Sequence, residues 1–137
     1  VVNSLGDQWL TYVRVGARLN QALERALSER HNLCVSAYDI MEVMWDEQDW
    51  IRSGELTARS SRSQPQVSRL LTQMVNADYV ARKPSPGDGR GFQVRLTPAG
   101  LALFREATAT VEGTLRAAAD EDAAARELLT PSLPAVG

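Results

Sequence analysis

Apolar residues recur along this chain with two different periods, and the points where the period changes divide it into helices and strands. Trp9, Tyr12, Val13, Gly16, Leu19, Leu23 and Leu27 return at the spacing of one helix face. Ser4 followed by Asp7 forms a capping-box pattern ahead of them, so a long amphipathic helix is predicted up to about Arg30, where His31 and Asn32 break the stripe. A second box pattern, Ser36 with Asp39, has Val35 and Ile40 placed to close over it as a hydrophobic staple. It predicts a helix from Ala37 with Ala37, Ile40, Met41 and Met44 on its apolar face, fading at Asp46, Glu47 and Asp49. Trp50, Ile51 and Arg52 fit a very short strand, after which Ser53 is placed to cap a short helix ending at Arg59 or Ser60.

Ser63 with Gln66 is a third capping box, and Pro65 is tolerated in a first turn because its missing N–H has no intrahelical partner there. A helix from Gln64 to about Asn76 follows. Its projection gathers Val67, Leu70, Leu71 and Met74 on one side and Pro65, Ser68, Arg69 and Thr72 on the other. Residues 79–83 and 92–96 then alternate with the period of two of half-buried strands, Val94 and Leu96 against Gln93 and Arg95. The connecting residues 84–91 are too many for a tight hairpin, and Gly87, Gly89 and Gly91 give backbone freedom around Arg90. Thr97 caps and Pro98 opens another long helix, with Leu101, Phe104, Thr108, Val111, Leu115 and Ala118 on one stripe. An alanine-rich helix over 123–129 ends before Pro131 and Pro134.

Composition narrows the class. No apolar run approaches the roughly 18 residues of a membrane span, no basic and apolar leader is visible, and the lone Cys34 cannot close an internal disulfide. A soluble protein of a reducing cytoplasm is expected, with no membrane partner. The net charge of −2 hides an asymmetry that matters more than the total. Residues 52–95 carry +5, while the remainder carries −7. A basic middle with acidic flanks suits a chain that turns one surface toward phosphates. In the 64–76 helix, Arg69 has the planar fork that matches a guanine edge or a phosphate. Ser68 and Thr72 can bond either, and Gln66 or Gln73 can reach adenine from the flanks.

Two stretches carry a family resemblance. The run Asp88-Gly89-Arg90-Gly91-Phe92-Gln93-Val94-Arg95-Leu96-Thr97-Pro98-Ala99-Gly100 resembles the wing signature of the MarR (multiple antibiotic resistance regulator) family, and Gln66-Val67-Ser68-Arg69-Leu70-Leu71 is similar to that family's recognition-helix pattern. The resemblance implies a mostly α chain with a small β-hairpin wing. A winged helix-turn-helix lobe over 36–97 and a helical dimerisation lobe from 4–32 and 98–130 would form a single MarR-like domain over 1–137. It also implies a homodimeric, ligand-responsive repressor on double-stranded DNA with a pseudo-palindromic operator, half-sites lying roughly 10 base pairs apart. Arg62, Ser63, Gln64, Pro65, Gln66, Ser68, Arg69, Thr72, Gln73 and Lys83 are the expected DNA-facing residues, with Arg82 and Arg95 as further phosphate contacts or structural pairs. By the same resemblance Arg90 enters the minor groove and Asp88 fixes its loop. The chain departs from the pattern at Thr57 and Ser60, where the family usually carries Ala and Leu, and at Arg62, near which its turn is apolar. A winged-helix interaction module without DNA binding is the alternative that these polar residues favour.

Other chemistry finds little support. His31 and Cys34 are the chain's single His and single Cys, too few ligands for a metal sensor, and Cys34 in Leu33-Cys34-Val35 reads as a buried small hydrophobe. No Gly-x-Ser-x-Gly elbow accompanies His31, so neither catalysis nor a cofactor is expected. Trp9, Tyr12, Tyr38 and Trp45 are aromatic at helical spacing, chiefly a core signal. The resemblance further implies that some of these rings line a pocket for a small aromatic effector between the dimerisation helices and the DNA-binding lobe.

Overall fold

A computed structural model describes residues 4–87 and 91–130, which form six helices and three strands. The chain divides into two units. Residues 33–108 form one, and the segments 1–32 and 109–137 form the other.

In the second of these, α1 (Leu5–His31) packs against α6 (Ala123–Leu129). Val15, Leu19 and Ala125 are buried between them, with Leu115, Ala118, Leu128 and Leu129 around the cluster. Ser4 caps α1 by accepting the Asp7 N–H, and Asn32 closes it in a left-handed conformation. Asp122 caps α6 through the Ala124 N–H and also accepts from Arg18 at 2.9 Å. The Arg18 hydrogen bond, with the backbone donor beside it, holds the Asp122 carboxyl below its usual range. His31 meets the Thr110 hydroxyl at 2.7 Å.

The 33–108 unit is built on α2 (Val35–Glu47), whose Ile40, Met41 and Met44 are almost entirely removed from solvent. Each such side chain contributes about 2 kcal/mol of apolar burial. The strands β1 (Ile51–Arg52), β2 (Val80–Pro84) and β3 (Phe92–Leu96) form an antiparallel sheet in the order β1-β3-β2. Val94 pairs with Ile51 on one side and Arg82 on the other, and Val80 faces Leu96. Ile51, Val80, Val94 and Leu96 are buried while Arg52, Lys83 and Arg95 stay exposed, which is the expected alternation. β2 runs one residue later than the sequence pattern predicts. Pro84 lacks a donor, and the outer strand of the sheet tolerates it.

Two caps differ from the sequence expectation. α2 starts at Val35 rather than Ala37, capped by Cys34, whose Sγ accepts the Ala37 N–H at 3.3 Å. Cys34 is therefore half-buried and hydrogen-bonded, not a buried hydrophobe. Ser36 lies inside the helix. Likewise Ser53 is the first residue of α3 (Ser53–Arg59), not its cap; Arg52 occupies that position without a side-chain bond, because the backbone passes straight from β1 into the helix. α4 (Gln64–Asn76) begins as expected, with the Ser63 hydroxyl accepting the Gln66 N–H.

The junction of β3 and α5 (Pro98–Glu121) is tightly fitted. Thr97 accepts the Gly100 N–H at 3.0 Å and donates to the Asp78 carbonyl at 2.7 Å, while its own N–H bonds the Tyr79 carbonyl. This draws the first turn of α5 onto the Asp78–Tyr79 backbone so closely that a Cβ on Gly100 would lie 2.0 Å from the Tyr79 oxygen. Substituting Gly100→Ala must displace backbone. It is expected to destabilise the protein by about 2–3 kcal/mol, read from the urea midpoint, whereas Gly113→Ala, whose Cβ would meet nothing within 4 Å, serves as a mild control.

Candidate nucleic-acid interface

α4 is amphipathic in the literal sense. Val67, Leu70, Leu71 and Met74 are buried, whereas Ser68, Arg69, Thr72 and Gln73 are exposed on the other faces. Ser63, Gln64 and Pro65 are also exposed at its start. The Thr72 hydroxyl donates back to the Ser68 carbonyl at 3.1 Å, so it keeps acceptor capacity outward. Arg69 has no ion-pair partner among the described residues.

The helix before it is held from outside. Leu56 is the fully buried anchor of α3. The two polar departures in α3 are satisfied locally, Thr57 donating to the Ser53 carbonyl and Ser60 to the Thr57 carbonyl. At the far end of α3, Arg59 reaches Glu47 at 2.7 Å, Asp46 at 3.3 Å and Glu55 at 3.6 Å. The Glu47 hydrogen bond is the main reason that the Arg59 pKa is raised.

The residues read from sequence as a capping box on α2 do other work. The Ser36 hydroxyl accepts from Gln66 Nε2 at 3.0 Å. Asp39 Oδ2 accepts from Ser61 Oγ at 2.6 Å, from Arg62 Nε at 3.1 Å and from the Ser61 N–H at 3.3 Å. Gln66 thus leaves its capping box half made, and its amide turns inward to α2. Arg62, expected from the sequence as a DNA-facing residue, is exposed by only 27% and is paired with Asp39. The Ser-x-x-Asp spacing of Ser36 and Asp39 satisfies the capping pattern equally well. No local signal marks a partner 22 residues away.

On the sheet, the cations rest on rings. Lys83 Nζ and Arg95 Cζ lie 4.4 and 4.6 Å from the Trp50 ring centre, and Arg82 Cζ lies 4.2 Å from that of Phe92. Such contacts give about 0.5–1 kcal/mol each at exposed sites and restrict long, mobile side chains. Arg95 is also 4.0 Å from Asp49. Gly87 and Gly91 take left-handed φ values of 110° and 78°, a backbone conformation that favours glycine. Asp88 and Arg90 themselves lie outside the described residues.

Of the four candidate effector rings, Tyr38 and Trp45 pack on Phe104 at 5.1 and 5.2 Å, and the Tyr38 hydroxyl meets Thr108 at 3.0 Å. Trp45 also borders a cleft of about 520 Å³ with Met44, Leu96, Leu101, Arg95 and Arg105. The Arg105 guanidinium stands 5.4 Å from the Trp45 ring. Trp9 and Tyr12 belong to the other unit, where they expose 64% and 52% of their surface. Among the described residues no group of three or more His, Cys, Asp or Glu is placed to hold a metal, and no helix is long and apolar enough to cross a membrane.

This architecture recurs in known structures. AbsC of Streptomyces coelicolor, a MarR family transcriptional regulator, superposes with a TM-score of 0.71 at 27% identity over 85% of this chain and 80% of that one. Sco3205 of the same organism, a MarR family transcriptional regulator solved in complex with DNA, gives 0.74 at 20% identity over 86% and 76%. CouR of Rhodococcus jostii RHA1, bound to p-coumaroyl-CoA, gives 0.70 at 22% identity over 82% and 79%. No curated protein sequence matches the chain. A MarR family model matches residues 31–91, from the end of α1 to the wing. The chain has the winged helix-turn-helix fold of these regulators, and its residues 31–91 match the MarR family model.

Proposed function

We propose that the protein is a ligand-responsive transcriptional repressor that binds a pseudo-palindromic operator as a homodimer. The observation that carries the DNA reading is α4, with its apolar side sealed into the 33–108 core and Ser68, Arg69, Thr72 and Gln73 left to solvent beside an exposed basic sheet. In this reading Arg69 and its neighbours contact base edges, while Lys83, Arg95 and the exposed start of α4 (Ser63, Gln64, Pro65) contact phosphates. By the family resemblance Arg90, which lies outside the described residues, is the minor-groove contact. The DNA-bound relative Sco3205 supports this use of the fold. The rival reading, an interaction module without DNA, loses its footing: Thr57 and Ser60 are committed to α3 itself and Arg62 to Asp39. Substituting Arg69→Ala is expected to weaken binding to the DNA flanking its own gene about tenfold or more in a mobility shift, with the melting temperature unchanged. Binding of wild type that does not fall with added salt would refute phosphate contact altogether.

The dimer reading is supported by α1. Leu5, Trp9, Tyr12 and Val13 form a helical stripe with exposures of 85%, 64%, 52% and 49%, an apolar surface that one chain leaves in water and a second copy would cover. Placing a charge there with Trp9→Glu should convert the dimer to monomer by light scattering, and a wild-type protein that is already monomeric would remove the twofold operator geometry.

The effector reading centres on the cleft beside Trp45, where Arg95 is countered by Asp49 and Arg105 is left beside apolar walls to take a planar aromatic carboxylate. CouR, with its aromatic thioester ligand, supports that class. Titration with p-coumarate should quench tryptophan fluorescence and release DNA, and Arg105→Ala should raise the half-saturating concentration about fivefold. Equal response of the variant would place the effector elsewhere.

A further inference from the structure

Resting on the DNA-binding reading above, we propose that Asp39, a residue of α2 outside the helix pair that reads DNA, is the positioning residue of the interface: one carboxylate oxygen fixes the link between α3 and α4 and holds Arg62 side-on so that its fork serves a backbone phosphate.

Three observations meet at this residue. First, Asp39 has no capping duty, since Cys34 caps α2. Second, all three donors on Oδ2 come from Ser61 and Arg62, within the four residues 60–63 that connect α3 to α4. A link so short sets the angle between the two helices, and a carboxylate bonded at three points leaves it little freedom. The side chain of Asp39 is 24% exposed and lies on the same face of α2 as Ser36, whose hydroxyl takes Gln66 in the first turn of α4. Third, Arg62 is engaged through Nε alone, and its two Nη groups have no partner among the described residues. That pair of parallel donors is the geometry that binds a phosphate bidentately.

Field and geometry make opposite demands here, which gives the proposal a sign. A carboxylate 3.1 Å from a phosphate-binding guanidinium repels DNA, so by charge alone Asp39→Asn should bind any duplex more tightly. A positioning role demands the reverse for the preferred sequence.

The experiment measures the affinities of wild type, Asp39→Asn, Asp39→Ser, Arg62→Ala and the Asp39→Asn/Arg62→Ala double variant at several salt concentrations. Two duplexes are used: one that the wild-type protein enriches from a randomised pool, and an unselected duplex of equal length. Circular dichroism melts of every variant accompany the titrations. We expect both Asp39 variants to lose about tenfold on the selected duplex while holding or gaining on the unselected one. Arg62→Ala should lose on both, with the salt slope reduced by about 0.9 for the one phosphate no longer neutralised. In its background the Asp39 substitution should cost much less, since the two act as a unit. Tighter or unchanged binding of the selected duplex by Asp39→Asn overturns the proposal. So does a parallel loss on both duplexes accompanied by a lowered melting temperature, the mark of a purely structural residue. If the wild type enriches no duplex at all, the DNA-binding reading itself falls and this inference falls with it.

Discussion

The burial of α2 is the constraint on which the winged-helix unit rests. Its apolar side, Ile40, Met41 and Met44, is among the most completely buried surface in the chain, and that fixes the helix before any polar contact is considered. Its polar positions can then act as fixed points. Ser36 and Asp39 near one end hold the start of α4 and the link before it, while Asp46 and Glu47 at the other end hold Arg59 of α3. Surface ion pairs such as those of Arg59 add little stability when single. Their value here is geometric, because they splint to α2 the short helix α3, whose one buried residue is Leu56.

The sheet follows the same economy. β1 has only two residues and is registered through Ile51 opposite Val94, so the path from α2 into α3 is decided by one buried pair. The Thr97 and Gly100 corner then fixes where α5 leaves the sheet. On the outer face Trp50 seats Lys83 and Arg95, giving the basic surface a rigid floor instead of a fringe of mobile chains.

Much of this was legible in the sequence because it is local. The period of α4, the Ser63 cap, the alternation of Gln93 to Leu96 and the Thr97-Pro98 helix start all depend on residues within a few positions of each other, and the structure forms each of them. What escaped was a matter of competition between near and distant partners. Ser36, Asp39 and Gln66 each had a plausible partner three residues away and took one 22 to 30 residues away instead. Ser53 looked like a cap until the strand before it is seen to feed directly into the helix. The aromatic residues were harder still: helical spacing does not distinguish Tyr38, stacked on Phe104, from Trp9, left in water.

The inward turn of Gln66 bears on how much a binding site can say. On the proposed DNA-binding reading, an amide committed to Ser36 is withdrawn from the edges of the bases, and the opening turn of α4 would contribute backbone anchoring only. Discrimination would then fall on the few exposed side chains from Ser68 to Gln73. A target read in this way would have a short, strongly determined centre bordered by permissive positions.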